Sequence, residues 1–320
     1  MKSKSLLTNK CCVFLLAVFC CLLWGSATPS IKTGYKLFQI ASEDTMSQML
    51  FAGVRFTLAG VLAVLFASLM RKRILVPKRS SLPLVFKLAL VQTILQYIFF
   101  YVGLAHTTGV RGAIIGALST FFSILFAVFL FHQEKLTGRK VLGCLLGFAG
   151  VVLINITGSG FGGASFWGDG AMVISTAASA LSFNQIKVYS QKEDPVILNG
   201  WQFMLGGCVL IAVGLLGHGT LRPVSGAAWL LMLYMGFLSA AAYSIWSLLL
   251  KYNDVSHVTI YSFTNPIFGV LLSELILRET NSFSRLQMLA ALALVCAGIL
   301  IINLPKKHFL DGKGGKTGRF

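Results

Sequence analysis

The segment RFTLAG at residues 55–60 decides the fold of this chain, because it recurs as QFMLGG at residues 202–207. Arg55-Phe56-(x3)-Gly60 becomes Gln202-Phe203-(x3)-Gly207, about 146 positions later. At nearly the same offset, the chain pairs Tyr97 with Tyr243, Glu134 with Glu279, and Gly150-(x4)-Asn155 with Gly298-(x4)-Asn303. Each half contains five apolar segments of membrane-spanning length. Because an odd number of crossings reverses the second copy, we predict ten transmembrane helices arranged as two inverted five-helix repeats.

The composition excludes an ordinary soluble domain. Hydrophobic residues make up 56% of the 320 positions and charged residues only 12%, whereas soluble domains carry roughly 25% charge. This predicts an all-α polytopic membrane protein whose surroundings are the lipid bilayer. The net charge of +17 raises the question of a nucleic-acid partner. The cations lie in short clusters between apolar runs and not along a basic helix face, so we expect no nucleic acid.

The predicted spans divide the chain into two repeats. About 20 apolar residues cross the hydrocarbon core. The predicted spans are 12–31, 47–70, 84–105, 109–131, 138–157, 166–188, 196–217, 226–250, 257–277 and 285–304. The first repeat therefore covers 12–157 and the second 166–304, followed by a cytoplasmic basic tail at 305–320.

The distribution of Lys and Arg predicts that both termini are cytoplasmic. With the amino terminus inside, the inner side receives 19 of these cations and the outer side six. This asymmetry follows the positive-inside rule and indicates an integral protein of a plasma membrane, the inner membrane in a bacterium. A cleaved signal peptide is the alternative for the first span, but the segment 24–29 is a poor small-residue cleavage site. Cleavage would also leave nine spans, so we expect the first span to be retained.

Several short motifs occur in a fixed order. They are Leu23-Trp24-Gly25-Ser26 and then Lys32 in the first span, Arg55-Phe56 in the second, and Glu134 or Glu279 at the end of each fourth span. In this order and duplication the chain resembles the EamA-type branch of the drug/metabolite transporter superfamily, from about residue 12 to 304. Pro266 lies thirteen residues before its glutamate, as the family pattern prefers, whereas Phe121 stands there in the first copy.

The resemblance implies a substrate path between the two halves, lined by the first, third, fourth, sixth, eighth and ninth spans. It also implies a carrier that moves small metabolites, often as an exporter, without ATP. The sequence supports the last point independently, because it contains no GxxxxGK[ST] phosphate loop.

Polar and aromatic side chains within the spans are the candidates for substrate binding, because polar groups are costly in hydrocarbon. The candidates are Trp24, Ser26, Gln92, Gln96, Tyr97, Tyr101, Asn184, Tyr243, Trp246, Tyr261 and Asn265. Gln92 and Gln96 are four residues apart and are expected to share a helix face. A cavity of this chemistry suits a small polar or amphipathic organic solute. The alternative is that these groups only join neighbouring helices by hydrogen bonds.

Four residues are candidates for gating or coupling. Arg55 is either an anion counter-charge or gating residue, or a structural cation that pairs with Glu43 or Asp44 near the outer interface. Glu274 lies within the ninth span and is the candidate for proton coupling. Pro29 and Pro266 each remove a backbone hydrogen bond, which either permits flexing along the path or fixes a kink.

Three functions were compared. The favoured one is a secondary transporter of a small organic metabolite, an exporter or exchanger, that works by alternating access. The alternatives are a polytopic membrane enzyme acting on a lipid-linked substrate and a non-transporting membrane scaffold. The histidines are isolated and the cysteines lack metal-ligand spacing, so we expect no enzyme activity, metal site or cofactor. The sequence leaves open the substrate, the direction, any coupling ion, and the choice between monomer and homodimer.

Overall fold

The computed structural model describes residues 6–107, 109–155, 166–277 and 285–304, and within these ranges it contains helices and no strand. We number the helices by their position along the chain. The first repeat region contains α1 (Lys10–Leu37), α2 (Thr45–Met70), α3 (Leu82–Leu88, π-helical Ala89–Leu95 and Gln96–Ala105), α4 (Gly109–Leu125 and π-helical Phe126–Leu130) and α5 (Gly138–Asn155). The second contains α6 (π-helical Phe166–Gly170 and Ala171–Tyr189), α7 (Pro195–Leu216), α8 (Gly226–Tyr252), α9 (Val255–Thr259, 3₁₀-helical Ile260–Thr264 and Asn265–Leu277) and α10 (Arg285–Asn303). The tail predicted at 305–320 and the corner at Glu279 lie outside the described residues.

Six helical stretches among the described residues are long and apolar enough to cross a membrane. They are Lys10–Leu37, Thr45–Met70, Arg79–Gly103, Pro195–Leu216, Gly226–Tyr252 and Leu286–Asn303, and Ile114–Leu130 is a shorter apolar helix. Large apolar side chains point outward on these helices, including Leu65, Phe66, Leu230 and Leu289. An apolar surface of this extent is suited to lipid and not to water. The chain is therefore an all-helical, polytopic membrane protein.

Side-chain caps fix where three of the long helices begin. The Asn9 side chain accepts hydrogen bonds from the first backbone N–H groups of α1, and Asp44 accepts one from Ser47 in α2. Asp194 does the same for α7, where Pro195 occupies the first turn. Such caps satisfy backbone donors that have no partner inside the helix, at about 1 kcal/mol each. The caps therefore set the helix starts just outside the apolar segments.

Helices α2 and α7 pack along their whole length, with backbones in direct contact at paired glycines. A Cβ added to Gly60 would lie 2.4 Å from the carbonyl oxygen of Gly200, and one added to Gly207 would lie 2.8 Å from that of Gly53. The early glycine of each helix meets the late glycine of the other, so the two helices run antiparallel. Small residues permit this close approach where lipid offers no hydrophobic drive for association.

Helices α5 and α10 form a second antiparallel pair. A Cβ on Gly298 would lie 2.5 Å from the carbonyl oxygen of Gly143, and one on Gly150 would lie 2.7 Å from that of Ala291. Again the early part of one helix contacts the late part of the other.

The remaining helices cross between the halves. Helix α1 packs on α8 and α9, whereas α6 packs on α3 and α4. In the predicted repeat, α1 corresponds to α6, α8 to α3 and α9 to α4, so these two sets of contacts are equivalent. The space between these six helices is the place where a cavity is found.

The two ends of the described chain lie on one face of the molecule. Lys10 Nζ donates to the carbonyl oxygen of Asn303 at 3.4 Å, and Asn253 Nδ2 donates to that of Leu7 at 2.9 Å. The salt bridge between Arg71 and Asp194, 2.6 Å long, lies on the same face. We call this the terminal face.

Candidate solute cavity

A cavity of about 280 Å³ lies between the two halves. Helices α1 to α4 line it from the first half, and α6, α8 and α9 from the second. Its lining residues are Trp24, Ala27, Ile31, Arg55, Gln96, Tyr97, Phe100, Tyr101, Ser119, Ser179, Phe183, Tyr243, Ser262 and Asn265. Six of the eleven predicted binding residues are among them, together with Arg55. The wall therefore combines aromatic rings, neutral polar groups and one cation.

Arg55 is the charged residue of the cavity wall and is only 4% exposed. Its Nε donates to Ser239 Oγ on α8 at 3.2 Å, and its guanidinium carbon lies 4.6 Å from the centre of the Phe56 ring. The expected alternative, an ion pair with Glu43 or Asp44, is absent from the described contacts, because Asp44 instead caps α2. A polar and an aromatic contact from the protein therefore position the guanidinium.

A cluster of aromatic rings forms one wall. Trp24 contacts Tyr243 edge-on with ring centres 5.2 Å apart, and it stacks on Phe183 at 6.4 Å. The hydroxyl groups of Tyr97 and Tyr243 lie 3.3 Å apart, which joins α3 to α8 across the cavity. Aromatic contacts of this kind are worth about 0.5–1.5 kcal/mol each beyond their burial. The wall is thus rigid and mostly apolar.

Several polar atoms at the cavity have no hydrogen-bond partner within the described part of the chain. They are the indole nitrogen of Trp24, the hydroxyl oxygen of Tyr101, and the side-chain oxygens of Gln96 and Asn265. Buried polar atoms are almost always hydrogen-bonded, so such exceptions call for a partner that binds from elsewhere. An indole donor, two amide acceptors and a hydroxyl group therefore remain free to bind a solute.

Gln92 does not line the cavity, although its spacing from Gln96 predicts a shared face. Residues 89–95 form a π-helical turn in the middle of α3. A π-helix bonds residue i to i+5, so it rotates the following residues relative to an ordinary helix. Gln92 is consequently buried away from the lining residues, and its side-chain oxygen is unpaired.

The other four predicted binding residues also lie outside the cavity wall. Ser26 Oγ bonds to the Tyr234 hydroxyl at 2.8 Å, and Asn184 Nδ2 donates to the backbone oxygen of Ser123 at 3.0 Å. Trp246 packs edge-on behind Trp24, with ring centres 4.9 Å apart. Tyr261 borders a different cavity. Ser26 and Asn184 thus fit the alternative of hydrogen bonds between helices, whereas the indole nitrogen of Trp246 has no hydrogen-bond partner within the described residues.

The two prolines occupy different local structures. Helix α1 continues through Pro29 without a break. Pro266 lies in the first turn of the last segment of α9, directly after the 3₁₀ segment 260–264. A tightened turn before a proline accommodates the missing backbone donor. Glu274 belongs to the same segment, but its side chain is outside the described part of the structure.

Sequence reasoning missed seven lining residues, and three of them are serines. Ser119, Ser179 and Ser262 are common residue types in membrane helices, so composition alone does not distinguish them. Ala27, Ile31, Phe100 and Phe183 read as ordinary apolar core. The available signal was the spacing on α1, where Trp24, Ala27 and Ile31 follow one helix face.

A larger cavity of about 960 Å³ opens at the terminal face. Its wall includes five basic residues, Lys10, Lys135, Arg139, Lys140 and His257. It also includes two acidic residues, Glu134 and Asp254. The Tyr261 ring borders this cavity, whereas the next residue, Ser262, borders the central one. Tyr261 contacts the exposed ring of Phe14 edge-on at 5.9 Å. The two cavities thus meet neighbouring residues of α9.

Glu134 joins the two halves at the terminal face. Its side chain is 3% exposed and forms a 2.7 Å salt bridge with Lys140. It also accepts from the backbone nitrogen of Ser256 at 3.1 Å and from its hydroxyl at 2.5 Å. The carboxylate thus caps the start of α9 in the other half. From the sequence, a glutamate at this corner is expected either to cap the following helix or to pair with a nearby cation such as Arg139. The salt bridge to Lys140 is a pairing of this kind, whereas the contact with Ser256 could not be foreseen.

Two acidic groups outside the spans have lowered pKa values. At Asp254 the hydrogen bond from His257 is the main cause, although burial acts in the opposite direction. At Glu193, burial raises the pKa. The backbone N–H groups of Lys78 and Asp194 donate to the carboxylate, and together with nearby groups they lower the pKa by more than burial raises it. Both groups are thus held ionised in the loops of the terminal face. No group of three or more His, Cys, Asp or Glu side chains with metal-binding geometry occurs in the described ranges.

Comparison with known proteins agrees with this architecture. The EamA-like transporter family matches residues 12–156 and again 166–304. The uncharacterized transporter YvbV of Bacillus subtilis is 27% identical, and the match covers 92% of each chain. A probable amino-acid metabolite efflux pump of Salmonella typhimurium is 23% identical over 89% of this chain and 93% of its own.

Two further matches are to a longer protein, which this chain covers in part, and to a solved structure. A WAT1-related chloroplastic protein of Arabidopsis thaliana is 28% identical over 65% of this chain, which spans only 51% of that longer protein. One crystal structure matches with a TM-score of 0.73 at 21% identity, covering 91% of this chain and 98% of the other. At that identity the likeness shows the fold alone.

The helical bundle, its lipid-facing surface and the internal polar cavity define a membrane transporter. The family match covers both halves of the chain. The protein belongs to the EamA-like transporter family of the drug/metabolite transporter superfamily.

Proposed function

We propose that the protein is a secondary transporter that carries a small organic metabolite by alternating access between two inverted five-helix repeats. The observation that supports this most directly is the cavity between the halves, whose unpaired polar atoms are enclosed by aromatic rings. Transporters of this construction bind their solute near the middle of the membrane, where the repeats meet.

The internal contacts support the inversion. Phe56 stacks on its own counterpart Phe203 with ring centres 5.2 Å apart, and Tyr97 meets its counterpart Tyr243. A two-fold axis between the copies would bring residues that lie near it into contact with their counterparts. The antiparallel glycine contacts of α2 with α7 require that this axis reverse the helix direction. An axis in the membrane plane has this property.

The positions of the charges support the orientation. Both ends of the described chain lie on the terminal face, which requires an even number of crossings, and ten is even. In the predicted topology, the side that holds both termini carries 19 of the Lys and Arg residues against six on the other side. We therefore assign the terminal face to the cytoplasm, in the inner membrane if the source is a bacterium.

The two cavities support alternating access. The α1 residues that line the central cavity lie in the half of the helix that ends at Leu37, away from the terminal face. On the cytoplasmic side, the hydrogen bonds from Ser256 to Glu134 join the two halves across the route. The described conformation thus corresponds to a carrier closed toward the cytoplasm. Opening that side requires these contacts to separate, with the irregular segment 260–264 of α9 as the flexible element.

The nature of the solute follows from the wall of the cavity. The volume of about 280 Å³ lies just below the roughly 300–1,000 Å³ of typical small-molecule sites. A small polar or amphipathic metabolite therefore fits, and the Salmonella relative is named for amino-acid metabolites. We propose export or exchange of such compounds. The enzyme alternative is less favoured because the residues that line the central cavity include no His, Cys, Asp or Glu. The scaffold alternative does not explain the unpaired polar atoms.

Counterflow in proteoliposomes tests the proposal. Purified protein is reconstituted and assayed for exchange of labelled metabolites, with and without a pH gradient. Ser119→Phe fills the central cavity and is expected to abolish exchange, whereas Leu65→Phe adds a ring of the same size at an exposed position on α2 and is expected to preserve it.

Folded wild-type protein that exchanges no solute under any condition contradicts the transport proposal and favours the scaffold. Equal activity of the two phenylalanine variants contradicts the assignment of the cavity. If Glu274→Gln keeps gradient-driven transport, Glu274 is not the coupling residue.

A further inference from the structure

Arg55 is a buried cation without a buried anion. It is 4% exposed, and no carboxylate among the side chains that the structure describes forms an ion pair with it. The residues that line the central cavity include no Asp or Glu. Burying an uncompensated charge away from water costs several kcal/mol, so such a charge is retained only where it serves a purpose.

The fold itself does not require a charge at this position. The counterpart of Arg55 in the second half is Gln202, a neutral residue that is 0% exposed and accepts a hydrogen bond from Thr93 at 2.6 Å. The position on α7 that corresponds to Arg55 is thus occupied by a neutral amide side chain. Since the helix packing tolerates the amide, the guanidinium of Arg55 is explained better by the cavity that it borders.

The free edge of the guanidinium is available to a ligand. Nε is occupied by Ser239, but the two terminal nitrogens have no hydrogen-bond partner among the described residues. Two parallel N–H donors on a planar cation match the two oxygens of a carboxylate. One buried cation also balances one negative charge, whereas a doubly charged group would leave a net negative charge in the membrane interior.

We propose that Arg55 binds the carboxylate of the transported solute and thereby selects monocarboxylates; this inference rests on the transport function proposed above. The rest of the wall fits the rest of such a molecule. The unpaired oxygens of Gln96 and Asn265 accept hydrogen bonds from an N–H or O–H group of the solute, and the aromatic rings contact its apolar part.

Ligand-dependent thermal stabilisation of the purified protein provides the binding test. The probes are acid–amide pairs that differ only at the carboxyl group: alanine and alaninamide, leucine and leucinamide, phenylalanine and phenylalaninamide, and lactate and lactamide. At least one acid is expected to stabilise the wild type, with its amide binding at least about tenfold more weakly, the scale of a charge-assisted hydrogen bond.

Two variants separate the charge from the fold. Arg55→Gln introduces the residue found at the counterpart position and is expected to melt as the unliganded wild type does, but to lose the preference for acids over amides. Arg55→Lys keeps the charge without the planar fork and is expected to retain a reduced preference. Counterflow of the stabilising acid is then measured for each variant in proteoliposomes.

The outcomes distinguish this inference from the transport proposal. Transport of a solute that lacks a carboxylate, with no acid bound, overturns the role of Arg55 and leaves the transporter intact. An undiminished acid preference in Arg55→Gln also overturns it. If no solute of any kind is exchanged, the proposed function fails as well.

Discussion

The contact between α2 and α7 makes a sharp prediction for Gly60→Ala. The new Cβ would lie 2.4 Å from the Gly200 carbonyl oxygen and 2.7 Å from the Met204 backbone nitrogen. Ordinary contacts begin near 3.4 Å, so the clash with the oxygen amounts to about 1 Å. Since both clashing atoms belong to the backbone, no side-chain rotation relieves them and the two helices must separate.

Overpacking of this kind costs about 1–3 kcal/mol. The intrinsic gain from replacing a helical glycine by alanine is only about 0.5–1 kcal/mol, so the net effect is destabilising. We expect a lower unfolding midpoint in nanodiscs, measured by intrinsic tryptophan fluorescence, and slower solute exchange in proteoliposomes. Gly200→Ala is expected to be milder, because its Cβ meets chiefly the Val64 side chain, which can rotate.

Gly116→Ala on α4 is the matched control. A Cβ there meets no atom within 4 Å, so only the intrinsic gain remains and the variant is expected to equal or exceed wild-type stability. The reasoning is refuted if Gly60→Ala is as stable as Gly116→Ala, because direct backbone contact would then not hold α2 against α7.

Three further predictions concern polar contacts. Glu134→Gln removes the salt bridge to Lys140 but can keep a bond to Ser256, so we expect easier opening toward the cytoplasm. The opening is measured as greater labelling of a cysteine introduced at Ser262 in an otherwise cysteine-free protein. Unchanged labelling contradicts the closing role of Glu134. Tyr97→Phe and Tyr243→Phe each remove one hydroxyl of a pair 3.3 Å apart. We expect each variant to lower the free energy of unfolding by about 1 kcal/mol in chemical unfolding, with strong non-additivity in the double variant. Additive losses show that the hydroxyls act separately. Glu193 has a lowered pKa in the folded protein, so its contribution to stability is complete above the ordinary glutamate value of about 4.3 and is lost as the pH falls through the lower folded value. Glu193→Gln is thus expected to flatten the acid side of the stability curve, whereas Glu43→Gln at an exposed position leaves it unchanged; equal curves for both variants contradict the assignment.

The helical membrane architecture could be predicted from the sequence, because apolar length and repeat spacing are local properties. The sequence also located Trp24, Gln96, Tyr97, Tyr101, Tyr243 and Asn265, which border the cavity in the structure. Those side chains combine a polar atom with a position deep in a span, and that combination is visible without coordinates.

Two features of the structure could not be predicted from local residue patterns. The π-helical turn at 89–95 changes the helical spacing between Gln92 and Gln96, and the residue types of that segment do not indicate it. The partner of Glu134 was missed for a different reason. Ser256 is 122 residues away in sequence, so the contact depends on how the halves dock and not on the helix that carries it.

The docking of α1 on α8 and α9 has a consequence for how the protein is made. Helix α1 meets its main packing partners α8 and α9 only after both have been synthesised, whereas α6 finds α3 and α4 already in place. Helices α1 to α5 on their own would therefore leave one face of α1 without its partners. We accordingly expect two half-length chains to need each other in the same membrane before either becomes stable.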